Sequence, residues 1–383
     1  MQKSVRLSHM VVVAVGLMTA GGISAEDEYG DTTFEDSGEA IIESPRWDLR
    51  PSLDAEGSVL WSDGIVLQEY SLYSQISSDL VDIGIIIAKS EFDVDYEPQI
   101  FGRDIDLSED TERYAIDGSL ALGSQWSVNG AAGYYEGFTN YRSLWISEYF
   151  GQLFGALDDN LAPMPKGSNF SLGAKWEYMP VVATISLTAG YSKDTIAPGY
   201  EFGANGLVSG RRNLYTKTLQ LQAENVITPR LVVQNTAQHT DTTNREKRWA
   251  MRTSVNCAIT DSCFFRLQGG FSLERPNFDA VYGGASLEFE FTDGWFFRLN
   301  SRYYIDTGEI ENGLSGFTSS APPLETFELG AGLRWQGVHG ALNLYTAYYQ
   351  TEYESLGEDN AFLQNLYNDR RWGIVQLSYT CSY

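Results

Sequence analysis

The segment Trp295–Asp306, WFFRLNSRYYID, alternates apolar and polar side chains residue by residue. Trp295, Phe297, Leu299, Tyr303 and Ile305 share one parity, and Arg298, Asn300, Arg302 and Asp306 the other. Only an extended chain sends successive side chains to opposite faces, so the segment predicts a strand with one apolar and one polar face. The same pattern runs through Cys263–Glu274 and through 181–194 and 280–291. Strands of soluble sandwiches run about 5–6 residues. These run roughly ten to fourteen, which suits a tilted crossing of a bilayer. The apolar face would then meet lipid and the polar face would line a wet lumen, with Tyr and Trp near the strand ends at the two interfaces.

Short turns are expected at 77–79, 124–126, 179–181, 228–230, 259–262, 292–294 and 336–340. Longer polar stretches alternate with them, at 97–112, 141–168, 195–212, 308–324 and 354–368. Seven hairpins, a first strand near 47–60 and a last one over 369–383 make about 16 strands, with both termini on the short-turn, periplasmic side. The first three strands alternate weakly, which leaves 14 or 18 open. The carboxyl end reads Gly373-Ile-Val-Gln-Leu377-Ser-Tyr379-Thr-Cys381-Ser-Tyr383, apolar or aromatic at every second position back from the last residue except Gly373. Those residues resemble the signal by which the outer-membrane barrel-assembly machinery recognises its clients, although that signal usually ends in Phe. The expected fold is an all-β, transmembrane antiparallel up-and-down barrel with porin-like architecture. The resemblance is architectural, and no motif points to a closer family.

The amino terminus fits export. Lys3 and Arg6 precede an apolar run, MVVVAVGLMT, and Ile23-Ser24-Ala25 offers a small-residue cleavage point. That is a signal peptide over 1–25, too short to span a bilayer as a helix. An acidic stretch follows, with eight carboxylates and no base from Glu26 to Glu43, and reads as a periplasmic tail over 26–46 ahead of a barrel over 47–383. Loss of Lys3 and Arg6 leaves 24 basic against 51 acidic residues, a net charge of −27. So acidic a chain lacks the basic footprint that nucleic acids require. Thirteen per cent aromatic residues nevertheless set it apart from disordered acidic chains.

Candidate chemistry is sparse. His9 leaves with the leader, His239 sits on the apolar face of a strand and His339 falls in a short turn. No Ser–His–Asp grouping, metal-ligand spacing or phosphate-cradling loop accompanies them, so neither enzyme activity, metal nor cofactor is expected. Cys257 and Cys263 flank the turn 259–262 with the same parity and could oppose each other as a disulfide in an oxidising compartment.

Parity sends Arg248, Arg252, Arg266, Arg298, Arg302, Arg334 and Arg370 to the lumen from the second half of the chain. Asp117, Glu177, Asp194 and Glu224 face inward from the first half. Opposed walls of unlike charge would set a transverse field across a pore, or the same groups would pair into a plug; the sequence leaves both open. The third long-side connection, 141–168, carries Leu144-Trp145-Ile146, Tyr149-Phe150 and Leu153-Phe154 at helical spacing, then Asp158 and Asp159. In porins the third loop folds inward and narrows the pore with carboxylates, and this segment is similar in order and chemistry. The expected function is passive diffusion of small hydrophilic solutes or ions across the outer membrane, with a closed structural or adhesive surface barrel as the rival. Expected partners are outer-membrane lipid and lipopolysaccharide, the barrel-assembly machinery through the segment ending at Tyr383, and, by resemblance alone, two further copies in a homo-trimer.

Overall fold

The computed structural model describes residues 49–100, 103–138, 164–203, 206–243, 245–276, 278–308, 322–354 and 368–382. They form sixteen strands: β1 Arg50–Ser62, β2 Ile65–Ser77, β3 Val81–Ile100, β4 Arg103–Ala121, β5 Trp126–Glu136, β6 Lys166–Met179, β7 Ala183–Gly203 and β8 Gly206–Thr228. The second half supplies β9 Leu231–Thr242, β10 Arg248–Thr260, β11 Cys263–Glu274, β12 Phe278–Thr292, β13 Trp295–Asp306, β14 Leu324–Gly337, β15 Gly340–Tyr353 and β16 Arg370–Ser382. Each strand pairs antiparallel with its sequence neighbours, and β1 pairs with β16 from Ser52 opposite Ser382 to Trp61 opposite Gly373. The barrel is therefore closed, with the expected count of 16.

Closure leaves every wall residue facing out or in. The outward set is apolar and bare of protein cover: Leu172, Leu221, Val281, Leu329 and Leu377 are all exposed. A soluble protein does not present so continuous an apolar surface. Aromatic residues bound it. Toward the short turns Trp126 stacks on Trp176 with ring centroids 5.5 Å apart, and Trp295 pairs with Trp335. Toward the long connections stand Tyr114, Tyr134, Tyr303 and the stacked pair Tyr191–Tyr215. Eight residues separate Trp126 from Tyr134, and Trp295 from Tyr303. At about 3.3 Å per residue and a tilt near 40° this spans roughly 20 Å, close to the ~25 Å apolar band of outer-membrane barrels.

The stretches 97–112 and 195–212, expected as loops, are mostly strand. β3 runs to Ile100 and β4 starts at Arg103, while β7 and β8 meet across residues 204–205. These hairpins continue past the tyrosine belt, where no lipid enforces an apolar face, so the two-residue period fades while the backbone ladder persists. The expected disulfide does not form either. The hairpin closes around the two-residue turn Asp261-Ser262, and a bulge between Ala258 and Thr260 shifts the register. Cys257 is opposite Phe265 and Cys263 opposite Thr260, and both thiols are free. The leader 1–25, the tail 26–46 and most of 141–168, with Asp158 and Asp159, lie outside the described residues, as does Tyr383.

Candidate functional site: the lumen wall

Strand register places ten of the eleven expected lining residues on the inward face. On the first wall Asp117 of β4 faces in beside Asp82 of β3, which accepts a bond from Ser119 Oγ at 2.7 Å. Asp194 of β7 accepts from Tyr135 Oη at 2.9 Å and from Ser192 Oγ at 2.8 Å, and Glu224 of β8 faces Gln234 of β9. Glu177 lies in the bulge between Trp176 and Met179 at the short-turn rim, outside the paired register, and the rings of Trp176 and Tyr178 on either side of it stand 5.8 Å apart. Asp54, Glu56 and Glu69 share this wall by pairing, and Arg113 bonds Glu69 at 3.0 Å.

Register turns the seven arginines to the inward face of the second wall, but that wall is not purely basic. Glu274 of β11, Glu288 of β12 and Glu328 of β14 face inward among them. Arg248 binds Glu274 through Nε at 2.9 Å and Nη2 at 2.8 Å, both largely buried, with its guanidinium 4.6 Å from the Phe278 ring. Arg334 pairs with Glu288 and lies over Phe296 at 4.2 Å. Arg370 donates to the Asp63 carbonyl at 2.9 Å. The transverse field is therefore smaller than seven free arginines would make it. Parity within Cys263–Glu274 already set Glu274 on the polar face; what was missing was the strand register that brings Arg248 to it, 26 residues away.

Inward glycines make room for side chains that lie flat on the wall. A Cβ at Gly330 would overlap Tyr345 Oη and Asn300 Oδ1, and one at Gly270 would stand 2.8 Å from the Tyr282 ring. Tyr345 thereby reaches across β14 to donate to Glu328 Oε1 at 2.8 Å, and Asn300 donates to the same oxygen at 2.9 Å.

Exposure of the inward face changes along the barrel. Near the short turns Ser52, Asp54, Glu56 and Gln75 keep partial or full contact with solvent. Near the long connections Leu60, Ile65, Leu67, Phe92 and Val94 are at most 2% exposed, although they too face inward. At the same end Thr111 Oγ1 donates to the Phe138 carbonyl at 2.6 Å, holding the chain after β5 against the inner face of β4. Of the two remaining histidines, His239 stacks outward on Trp249 at 4.3 Å and His339 occupies the turn between β14 and β15, 338–339.

A closed, sequentially wound antiparallel barrel with an aromatic-bounded apolar outside and a charged inside is the β-barrel of bacterial outer membranes. Solved structures with this fold include CdiB from Acinetobacter baumannii, with a TM-score of 0.52 and 11% identity over 88% of this chain and 60% of that one. Weaker likenesses are to a bacterial polysaccharide outer membrane secretin (TM-score 0.48, 9% identity, 87% of this chain and 98% of that one) and OccAB3 from Acinetobacter baumannii (0.41, 7%, 88% and 100%). At such identities the likeness is one of fold, and the chain spans 60% of the length of CdiB. No family model and no curated protein sequence matches the chain.

Proposed function

We propose that this protein is a passive diffusion pore of the bacterial outer membrane for small hydrophilic solutes, exported by its 1–25 leader and inserted through its carboxyl-terminal strand. The observation that carries the reading is the inward display of solvent-exposed guanidiniums: Arg252 and Arg266 are both exposed, yet register turns them away from lipid. Charged groups keep that exposure only against water. Passage then depends on lumen radius and wall charge, and uses no cofactor. The segment 141–168, with Asp158 and Asp159, is the proposed narrowing. Its support is the buried inward set around Leu67 and Phe92 at the long-connection end, beside the point where Phe138 leads the chain off β5.

That same buried set favours a second reading, a closed structural or adhesive barrel. Purified folded protein in planar bilayers separates the two. The pore reading expects discrete ion-conducting steps, enlarged by deletion of 144–157. Absence of steps from protein with the heat-modifiable mobility of a folded barrel rejects the pore, and steps unchanged by the deletion reject the narrowing. Contact with lipopolysaccharide and assembly as a homo-trimer belong to the same proposal; cross-linking of the native membrane protein tests the latter.

A further inference from the structure

The six inward arginines of β10, β11, β13 and β14 fall into two groups. Arg248, at the long-connection end of β10, and Arg334, near the short turn of β14, each hold a carboxylate. Between them, Arg252, Arg266, Arg298 and Arg302 lie within ion-pair distance of no described carboxylate. Their hydrogen-bond partners are neutral: Arg252 Nη2 donates to Gln268 Oε1 at 3.1 Å, and Arg266 Nε to Asn256 Oδ1 at 2.7 Å. Arg302 lies 5.8 Å from the centre of the Tyr282 ring.

Carboxylates are at hand and are turned elsewhere. Glu328 stands directly opposite Arg302 in the β13–β14 ladder, but its Oε1 takes bonds from Asn300 and Tyr345. Glu288 is opposite Arg298 and binds Arg334 instead. The wall beside these four guanidiniums is also cleared. Gly270 is the partner of Arg252, Gly284 of Arg302 and Gly332 of Arg298, so no side chain rises from those sites. Tyr282 and Gln268 lie flat across Gly270 and Gly284. From β10 to β13 the patch covers three strand spacings, about 14 Å across the strands, and register staggers the four arginines over six residues, about 20 Å, along them.

Like charges crowded on one wall repel, and an interior that had no use for them would pair or replace them. Guanidinium forks match oxyanions with two parallel bonds. We infer that Arg252, Arg266, Arg298 and Arg302 form an anion subsite in the lumen, which takes small solutes bearing carboxylate or phosphate groups. The inference rests on the pore reading for its route of access, and it deepens that reading by naming a solute class. Net acidity elsewhere on the chain would repel such anions, and the subsite gives them a local well.

Citrate is the probe. Calorimetric titration of the detergent-folded, full-length barrel should detect its binding, and in bilayers citrate should block the current. The double variant R252Q/R302Q should weaken both by about tenfold or more, the worth of one lost charged hydrogen bond. Its reversal potential in a potassium chloride gradient should move toward cation preference. R230Q, at the exposed short-turn rim where Arg230 meets Asp261, serves as the control and should match the native chain. Citrate binding that is absent, or unchanged in R252Q/R302Q, overturns the inference even if the pore conducts. A barrel that binds citrate but never conducts overturns the pore reading and leaves the subsite standing.

Discussion

Leu221 and Gln222 are neighbours on β8, so one faces lipid and the other the lumen at the same depth. Leu221 is 48% exposed and pairs with Leu187, between the Trp126–Trp176 stack and the Tyr191–Tyr215 pair. Arginine at Leu221 would place a guanidinium in hydrocarbon, at a cost of about 2–4 kcal/mol near the midplane. Arginine at half-buried Gln222 would enter a wet wall two residues from Glu224, where a water-facing substitution changes stability by roughly 0.5 kcal/mol or less. The expected gap is at least about 1.5 kcal/mol, or roughly a tenfold change in the folding equilibrium. Urea unfolding in lipid vesicles, followed by the fluorescence of the nine tryptophans, measures it. Equal penalties, or a larger one at Gln222, would refute the assignment of faces and with it the lumen wall.

Gly330→Val should destabilise the barrel by about 1–3 kcal/mol, because the new side chain meets Tyr345 and Asn300. Combined with Tyr345→Ala, its cost should fall well below the sum of the single changes; strict additivity would mean that the two sites do not touch. Cys257 and Cys263 should remain reduced after mild oxidation and react with a membrane-soluble maleimide, and an oxidation-induced mobility shift that a thiol reductant reverses would contradict the register. Beyond the tyrosine belt, Asp110 at 2.7 Å and Glu91 at 2.9 Å hold the Lys89 ammonium well above the ordinary lysine range. A raised pKa in the folded state gives stability that is fully present below the unfolded lysine value, near 10.4, and is lost as pH climbs through the folded one. Lys89→Gln should therefore cost a constant amount, under about 1 kcal/mol for so exposed a pair, from neutral pH to about pH 10. Unfolding midpoints across that range check it, and a penalty that disappears near neutrality would contradict the sign.

The membrane-spanning part of the fold was legible because the bilayer imposes a two-residue period, as Trp295–Asp306 shows. It stopped being legible where that constraint stops. Residues 97–112 and 195–212 carry polar side chains on both parities, so composition suggests a loop while the ladder continues. The facing of the arginines followed from parity alone. Which of them are neutralised did not, because Arg334 finds Glu288 46 residues away and only strand register brings the two together. The cysteine pairing failed for the same reason, since a two-residue turn and one bulge moved Cys257 past Cys263.

The seam between β1 and β16 has a consequence for how the barrel is made. Arg50–Ser62 must meet Arg370–Ser382, so the contact that closes the barrel joins chain segments about three hundred residues apart. Every earlier stage has two open ladder edges, each able to pair with another chain. The strand that carries the apolar run from Gly373 to Cys381 is also the one that removes both edges at once. A chaperone that holds this strand until the other fifteen are in place would control delivery and protection from misassembly through a single contact.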